Sequence, residues 1–590
     1  MKSNSVSTLE SRLSHSYLVS SHSITDGPAD RNDFIRSAKY EQEKYQKYVE
    51  DIAQKLNHIH GVSRPVRFWE SVIGFVLVMH ISHCRRVFEF MAKSDSTIVN
   101  QSRFLDATSF KIPRNQEDHR EIYEISDFGD IQLYTQYFRL FPQLNFCEKN
   151  RVDVTEFKLT KVVDASVAPV AVANKKLFTE RIARYYKEPA VVFKQLLISL
   201  IGKVFSPRML IIECYWKMFD KQSIQLKSLG KITCERFSPE YRFSEINSDS
   251  KARDYLSMLP EDKDDFDRFF YHTLRWAAPA TWLEDYTARY DASMRYLSKF
   301  KKITYIVNES LSENVSLLMA VSRERGVKAI HAEHNYLQHQ FVGNNVWLNL
   351  RKVDHYLSLG WSGKEYPEIV PTSSNFNWFI AANDVRDIKI LFVAGVALKR
   401  MPLTSSGYAL CGDNNARRYV KMTYDFFDNL TRDCISQIYY KDYPRWRKEK
   451  LCRHVCDADL LDEFSNQFKT LDRNGDIDTV ELISRSKLVV VNYLSTAYLQ
   501  CLMSSVPTVI LYDKDGHHLT DKNIDFYDEL LSVGVMQSCP HSAAEFVREI
   551  ADDPELWWCS ADVQKARLNF LEKNFGRPGL LSQYLLSKIV

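Results

Sequence analysis

Residues 487–513 read KLVVVNYLSTAYLQCLMSSVPTVILYD and predict a strand, a helix and a second strand. The first strand ends near Asn492, and a short polar turn leads into a helix that begins at Ser495 or Thr496. Pro507 stops the helix before the second strand begins. Two continuous apolar strands joined by a helix are typical of a parallel sheet that is covered on both faces.

The same alternation extends over most of the chain. Further apolar runs that predict strands lie at 209–214, 303–308, 328–333, 355–360, 389–395 and 434–440, in addition to 488–493 and 508–513. Amphipathic helices separate many of them, such as Glu313–Arg325. Before the first strand, residues 34–91 show helical periodicity, with one stripe that contains Tyr45, Tyr48, Ile52 and Leu56.

The domain organisation follows from length and from one irregular stretch. A chain of 590 residues is too long for one hydrophobic core. Residues 362–387 contain two Pro, several Ser and Asn and no clear period, so we interpret them as the connection between domains. We predict a poorly ordered segment at 1–33, an α/β domain with a helical start at 34–370, and a second α/β domain at 371–590. The fold class is α/β, with two Rossmann-like domains facing across a cleft.

Composition and motifs exclude several functions. The net charge is only +3, and no Lys/Arg stripe of the kind that binds nucleic acid is present. Neither GxGxxG nor GxxxxGK[ST] occurs, so dinucleotide binding and a P-loop are not supported. The run at 472–483 fails as a calcium loop because Ile477 and Ile483 replace the required Gly and Glu. Cys452, His454 and Cys456 lack a second ligand pair, and the acidic run at 261–267 is typical of a solvated helix start. We therefore predict no metal site.

Cysteine usage and hydropathy predict a cytoplasmic location. The 11 cysteines are odd in number and scattered, and the polar N-terminus has no apolar leader segment. The most hydrophobic stretch, Val66–Ile81, is interrupted by charges and is interpreted as a buried helix, with a membrane-surface helix as the alternative. The weakly basic composition would also allow peripheral docking at the anionic inner membrane.

The helix start at Ser495 and Thr496 is the first candidate binding site. Two hydroxyl groups, free backbone N–H groups and the helix dipole meet there, which would hold a phosphate without a metal. Simple capping of the helix by Ser495 is the alternative. Gln500 lies one turn further on, on the face that carries Thr496, and could reach a ribose or a base or else face solvent.

Two more segments follow predicted strands with charged side chains. Glu333 and His334 lie where a strand ends, which suits a general acid or base. Adjacent side chains on an extended chain face opposite ways, so at most one of them can point at a substrate. The segment at 437–450 offers basic side chains among aromatic ones, either as a solvated loop or as a site for an anionic ligand. These side chains are Lys441, Arg445, Arg447 and Lys448.

Taken in order, several motifs resemble a family of transferases from bacterial O-antigen and surface-carbohydrate gene clusters, related in layout to the Kdo transferases of capsule synthesis. The N-terminal ones are LNHIHGVSRPVRFWESVIG (56–74), RMLIIECYW (208–216), PATWLEDY (279–286) and IHAEHNYLQHQ (330–340) with its closing Gly-Trp. The C-terminal ones are IYYKDYPRW (438–446), VNYLSTAYLQCLMSSVPTVILYD and WWCSADVQKARLNFLEKNF (557–575). In this chain Glu333 stands where the family has Gln, residues 335 and 336 replace two glycines, and Gln500 replaces Glu.

The resemblance implies a GT-B glycosyltransferase that needs no cofactor or obligatory metal and uses a nucleotide-sugar as co-substrate. Its C-terminal domain would bind the donor, through Asn492, Ser495, Thr496, Gln500 and Lys441. The acceptor-side domain would contribute His334 or Glu333 as acid/base or orienting group. The expected donor is a CMP-nonulosonic acid, and the expected acceptor is a surface polysaccharide or a lipid-linked glycan. The alternatives are a polyol-phosphate transferase of the teichoic-acid-polymerase type and a non-catalytic scaffold in polysaccharide assembly.

Overall fold

The computed structural model describes most of the chain, with gaps. The described residues are 31–93, 105–125, 127–141, 206–214, 218–235, 237, 248–260, 264–309, 312–333, 338–344, 346–364, 366–373, 380, 385–395, 413–442, 462–472, 477–494, 496–516, 518–576 and 580–589. The predictions for 1–30, and those for Cys452, His454 and Cys456, lie outside these ranges.

The first sheet has six parallel strands in the order β2-β1-β3-β4-β5-β6. They are β1 Met209–Ile212, β2 Ile232–Glu235, β3 Tyr305–Asn308, β4 Lys328–Ala332, β5 His355–Ser358 and β6 Ile369–Pro371. In β1 every residue is buried, as expected for a strand covered on both faces. The first five strands, in the order 2-1-3-4-5, follow the flavodoxin-like order, and β6 is added beyond β5.

The second sheet also has six parallel strands, in the order β12-β11-β10-β7-β8-β9. They are β7 Ile388–Val393, β8 Ile438–Lys441, β9 Thr470–Asp472, β10 Ser486–Val491, β11 Thr508–Leu511 and β12 Met536–Gln537. Counted within the sheet and read from β9, this is the Rossmann order 3-2-1-4-5-6. Together with the helical N-terminal segment, the two sheets confirm the predicted α/β class.

Helices precede and separate the strands. In the first part of the chain they are α1 Arg31–His60, α2 Val66–Lys93, α3 Gln116–Arg120, α4 Asp127–Leu140, α5 Met218–Lys227, α6 Ser250–Leu256, α7 Asp265–Ala277, α8 Tyr286–Ser298, α9 Glu313–Glu324 and α10 Val346–Lys352. In the second part they are α11 Asp413–Asp428, α12 Arg432–Ile435, α13 Asp462–Ser465, α14 Thr479–Ser484, α15 Thr496–Met503, α16 Asp521–Ser532, α17 Pro540–Ile550, α18 Pro554–Trp558, α19 Ala561–Asn574 and α20 Leu580–Ser587.

The four strands that the sequence analysis missed are the edge strands of the two sheets. Strands β2, β6, β9 and β12 have two to four residues each and include exposed or half-buried positions. An edge strand needs less apolar sequence than a central strand, so its hydrophobic signal is weak. The predicted strand at 434–440 begins only at Ile438, because the Thr431 side chain caps the short helix α12 by accepting from the Cys434 N–H.

Helices α1 and α2 confirm the predicted helical start, but α1 already begins at Arg31, so residues 31–33 are helical and the predicted poorly ordered segment extends too far at this end. The predicted stripe on α1 is fully buried, with Tyr45, Tyr48, Ile52 and Leu56 all at 0% exposure. Within the described residues, α2 has one window long and apolar enough by composition to cross a membrane, at Val66–Ala92. However, 83% of that window is buried inside the protein, as in the core helix of a soluble domain.

The acidic run at 261–267 corrects one expectation about solvation. Asp264 accepts a hydrogen bond from the Asp267 N–H at 2.7 Å and caps α7, so the predicted helix start is confirmed. Asp267, in contrast, is fully buried rather than solvated. Its carboxylate accepts hydrogen bonds from Lys44 at 2.6 Å, from Lys47 at 2.9 Å and from the Tyr48 hydroxyl. The hydrogen bonds of the Asp267 carboxylate therefore link α7 to α1.

The described chain divides into two compact units that are not contiguous in sequence. The N-terminal unit contains the described residues of 43–333, 346–373 and 576–589, and the C-terminal unit contains those of 31–42, 338–344 and 380–575. The predicted boundary at 370/371 falls inside β6, which pairs with β5 in the first sheet. The last helix, α20, also belongs to the N-terminal unit, because Leu581, Leu585 and Ile589 fill its core.

Candidate functional site

The C-terminal sheet has a topological switch point between β7 and β10. From β7 the chain continues through β8 and β9 to one side of the sheet, and β10 to β12 then build the other side. The loops that follow β7 and β10 therefore leave the sheet in opposite directions. In open parallel sheets this arrangement creates a crevice at the carboxyl edge, where ligands bind.

Gly395 and Asn492 lie at this switch point and form, with Tyr419 and Thr423, a group of hydrogen-bonded residues that we call the floor. The Gly395 N–H donates to the Asn492 Oδ1 and to the Tyr419 hydroxyl oxygen, both at 2.9 Å. The Asn492 Nδ2 donates to the Thr423 Oγ1 at 3.1 Å. Asn492 is fully buried, so its amide joins the two strand exits to α11. Its predicted contact with a nucleotide stays a prediction, and the observed contacts give it a shaping role.

Gly395 also brings an aromatic ring close to the sheet edge. A Cβ atom added at Gly395 would lie 2.5 Å from the Tyr493 Cδ1, closer than atoms can approach. Any side chain at position 395 would therefore push the Tyr493 ring aside. Tyr493 itself is half-buried, which leaves part of its ring accessible beside the switch point.

Helix α15 begins at this edge with Thr496. Thr496 and Gln500 are both half-buried, so part of each side chain reaches the surface. The first N–H groups of a helix have no partner within the helix, and the dipole adds partial positive charge there. The two predicted residues thus lie at the expected place, one turn apart. Ser495 lies outside the described residues.

Lys441 ends β8, one strand away from the switch point. Its backbone carbonyl accepts from the Ala394 N–H at 2.9 Å, just before Gly395. Its side chain is buried, and its Nζ makes no hydrogen bond within the described residues. The carboxylate that pairs with it, Asp472, has its Oδ2 at 3.6 Å, beyond hydrogen-bond length. A buried ammonium group with unused donors favours an anionic ligand. Arg445, Arg447 and Lys448 lie outside the described residues.

In the N-terminal unit, Glu333 follows β4 and is buried. Its Oε2 accepts from the Trp361 Nε1–H at 2.7 Å and from the Leu359 N–H at 3.0 Å. Burial raises the pKa of Glu333 to about 8, although these two hydrogen bonds act in the opposite direction. At neutral pH the side chain is therefore mainly a neutral carboxylic acid, the form that can donate a proton. His334 lies outside the described residues.

No group of three or more His, Cys, Asp or Glu side chains among the described residues is arranged to hold a metal ion. Lys441 and the N-terminus of α15 place positive charge near the C-terminal switch point. The described side chains at this edge therefore offer hydrogen-bond donors for an anion.

Comparison with known families identifies the chain. The model of the LIC12162 family transferases matches residues 22–579. The chain belongs to this family. Membership makes it a transferase, which confirms the enzyme class that the sequence analysis predicts. A comparison with curated proteins gives no match.

Several solved structures are also similar to this LIC12162-family chain. MurG of Acinetobacter baumannii is 11% identical, with a TM-score of 0.33 and coverage of 65% of this chain and 99% of that one. The complex of S. aureus MnaA with UDP is 10% identical, with a TM-score of 0.36 and coverage of 65% of this chain and 96% of that one. The glycosyltransferase SnogD of Streptomyces nogalater is 12% identical, with a TM-score of 0.30 and coverage of 65% of this chain and 100% of that one. Likeness at this level supports no conclusion about what this chain binds.

Three residues of the floor were not identified from the sequence. Gly395 was included in the predicted strand at 389–395, and a glycine at the end of a buried strand is a usable signal for close approach of another group. Tyr419 and Thr423 lie on α11. Their hydroxyl groups contact Gly395 and Asn492 only because the tertiary structure packs α11 against the ends of β7 and β10. No local pattern reveals such a contact.

Proposed function

We propose that this chain is a GT-B glycosyltransferase that binds a nucleotide-activated sugar at the carboxyl edge of its C-terminal sheet. The observation that carries the proposal is the position of the Lys441 ammonium group and the α15 N-terminus beside the β7–β10 switch point. The Lys441 Nζ makes no hydrogen bond within the described residues, and the start of a helix carries partial positive charge, at the edge where ligands of open parallel sheets bind. Two parallel sheets in one chain and membership of a transferase family are consistent with this fold.

The donor phosphate is the group that these donors would hold. In the proposed complex, Ser495 and Thr496 bind a phosphate oxygen through hydroxyl and backbone N–H groups. Lys441 stabilises the negative charge that develops when the sugar leaves, so no metal is required. Gln500 would contact the ribose or the base. The resemblance to Kdo transferases favours a CMP-nonulosonic acid as donor.

The acceptor would be a surface polysaccharide or a lipid-linked glycan that the N-terminal unit binds. Glu333, neutral at physiological pH, would donate a hydrogen bond and orient its neighbours, and His334 would be the acid/base group. We place the enzyme in the cytoplasm, with peripheral contact at the inner membrane, where lipid-linked glycans are accessible.

Calorimetry of nucleotide binding tests the phosphate site. Full-length protein is titrated with CMP, UDP and GDP, and Lys441→Met is compared with the wild type. Loss of one charge-assisted hydrogen bond costs about 1.5–3 kcal/mol, so the affinity for the preferred nucleotide should fall roughly 10- to 150-fold. Asp472→Asn is the matched control, because it removes the partner charge but keeps the ammonium group. Unchanged affinity of Lys441→Met would remove Lys441 from the site.

A second experiment tests the helix start and the reaction. Ser495→Ala/Thr496→Ala should abolish release of CMP from CMP-sugars while the circular dichroism spectrum stays that of the wild type. Parallel assays with CMP-Kdo, CMP-sialic acid and CDP-glycerol identify the donor class. Turnover of CDP-glycerol alone would replace sugar transfer by polyol-phosphate transfer. Failure of the wild type to bind any of the three nucleotides would favour the scaffold.

A further inference from the structure

The segment 338–344 belongs to the C-terminal unit, although the motif that ends at Gln340 begins in β4 of the first sheet. The Thr520 N–H donates to the Gln340 carbonyl, and the Val342 N–H donates to the His518 carbonyl, both at 2.8 Å. These two bonds flank an antiparallel bridge and pair the segment with the chain just before α16. The backbone of the segment is therefore fixed within the C-terminal unit.

The Gln340 side chain is fully buried there and uses both ends of its amide group. Its Nε2 donates to the Asn574 Oδ1 at 2.7 Å, and its Oε1 accepts from the Tyr527 hydroxyl. The Asn574 Nδ2 donates to the Phe570 carbonyl at 2.8 Å, which turns the Asn574 oxygen towards Gln340. Position 340 therefore needs a donor on one side and an acceptor on the other. Glutamine supplies both, whereas glutamate would bring two oxygens.

The Tyr527 hydroxyl continues this chain of hydrogen bonds to α15. Its one proton is donated to Gln340, so its oxygen accepts from the Tyr498 hydroxyl, 3.1 Å away. Both tyrosines are 1% exposed, and burial raises the pKa of each hydroxyl above its usual value, so both keep their protons at neutral pH. Tyr498 lies on the first turn of α15, two residues after Thr496. Hydrogen bonds therefore join Gln340 to the start of this helix.

The Tyr498 hydroxyl restricts the orientation of α15 more than its other buried side chains do. Those side chains are small or aliphatic, namely Ala497, Leu499, Cys501 and Leu502. Hydrophobic contact has no preferred direction, whereas a hydrogen bond weakens steeply as its angle changes. A buried network with every member bonded fixes one arrangement of the elements that it joins. The first turn of α15 is therefore held in tilt and rotation by the bonds that lead to Gln340.

We propose that Gln340 is a positioning residue of the donor site, which holds the first turn of α15 in the orientation that receives the donor phosphate. Tyr527 and Tyr498 transmit this constraint. The inference rests on the proposed function, because it assumes that the helix start binds phosphate. When the chain of hydrogen bonds is broken, the helix start samples further orientations. The apparent affinity for the nucleotide then falls in proportion to the fraction of molecules that stay competent.

Calorimetry with CMP, UDP and GDP on the full-length protein tests the proposal. Tyr527→Phe and Gln340→Leu should each lower the affinity for the preferred nucleotide roughly 3- to 10-fold, the loss expected for one hydrogen bond. The double variant should lose no more than Gln340→Leu alone, because both changes break the same chain. Ser486→Ala is the matched control. It removes one buried hydroxyl that donates to the Leu482 carbonyl at the amino end of β10, away from the donor site.

The comparison with Ser486→Ala separates positioning from stability. Every one of these variants should lower the urea midpoint of unfolding, because each removes a buried hydrogen bond. A protein that is less stable but still fully folded keeps its affinity unless the site itself has changed. Unchanged affinity of Tyr527→Phe and Gln340→Leu, or an equal loss in Ser486→Ala, overturns the proposal. If Gln340→Leu does not fold, Tyr527→Phe decides, since it keeps the ring and removes only the hydroxyl.

Hydrogen exchange without nucleotide keeps this inference separate from the proposed function. Peptides that cover Thr496–Met503 should exchange faster in Tyr527→Phe and Gln340→Leu than in the wild type, and Ser486→Ala should exchange as the wild type does. Equal exchange in all four proteins contradicts a positioning role. If the wild type binds none of the three nucleotides, the proposed donor site fails. Exchange at the start of α15 then decides by itself whether Gln340 positions this helix.

Discussion

Replacement of Glu333 by Gln should stabilise the protein in a way that depends strongly on pH. Glutamine has the same shape and keeps an oxygen that can accept from the Trp361 Nε1–H and the Leu359 N–H. It cannot ionise. The pKa of Glu333 is raised to about 8 in the folded protein by burial, against 4.5 in an unfolded chain. The variant therefore removes the cost of keeping this carboxyl group protonated in the folded protein at a pH where the unfolded chain would ionise it.

The sign and size of the effect follow from proton binding. Between pH 4.5 and 8 the folded wild type keeps a proton on Glu333 that the unfolded chain has lost. The free energy of unfolding of the wild type therefore falls by about 1.4 kcal/mol for each pH unit in this window. The total amounts to about 4 kcal/mol at pH 8, where the folded group itself is half ionised. Below pH 4.5 both states hold the proton, and the difference between wild type and variant no longer changes with pH.

Hydrogen exchange followed by mass spectrometry measures the effect locally. Peptides that cover β4 and β5 are compared between wild type and Glu333→Gln at pH 5, 6.5 and 8, each pair at one pH so that intrinsic exchange cancels. The advantage of the variant should grow with pH. Glu368→Gln, at an exposed position in the same unit, should show no such trend. A difference that stays constant with pH, or that favours the wild type at pH 8, would refute a buried neutral Glu333.

Two further predictions concern the sheet edge and the helical layer. Gly395→Ala should lower nucleotide affinity, measured by calorimetry, at least tenfold, because the new Cβ displaces the Tyr493 ring. The circular dichroism spectrum should change little. Ala394→Gly is the control. Burial by itself would raise the pKa of Asp267, but hydrogen bonds from Lys44, Tyr48 and Lys47 outweigh it and lower the pKa to about 2. Asp267→Asn should therefore cost about 2 kcal/mol at pH 7 in urea unfolding. The difference should shrink as the pH falls from 3.8 towards 2, and a difference that persists at pH 2 would contradict the reasoning.

The neutral state of Glu333 also bears on a departure from the related transferases. The resemblance described in the sequence analysis implies Gln at this position, so an ionised Glu would add a negative charge beside the predicted acid/base residue. A carboxylic acid with a pKa of about 8 is neutral at pH 7 and resembles an amide in shape and hydrogen bonding. Glu in place of Gln therefore changes the charge of the folded protein little at neutral pH. It adds one group that ionises at higher pH.

Much of the fold could be predicted because its signals are local. The stripe of Tyr45, Tyr48, Ile52 and Leu56 follows from helical periodicity, and all four are fully buried. The eight predicted strands correspond to observed ones, because strands that are covered on both faces are continuously apolar. The edge strands were missed because they are short and partly exposed. At the candidate site, the sequence placed Thr496 at the start of α15 and Gln500 one turn later.

The sequence by itself determined the order of strands and helices and the place where a helix begins after a buried strand. Only the tertiary structure decided which strand exits are neighbours, and with them the switch point of the C-terminal sheet. It also decided the state of individual charges. Asp267 is buried among cations, Lys441 is buried with no hydrogen bond to its Nζ within the described residues, and burial raises the pKa of Glu333 to about 8. The physical reason is that periodicity depends on neighbours within one or two turns, whereas desolvation and pairing depend on groups brought together from distant parts of the chain.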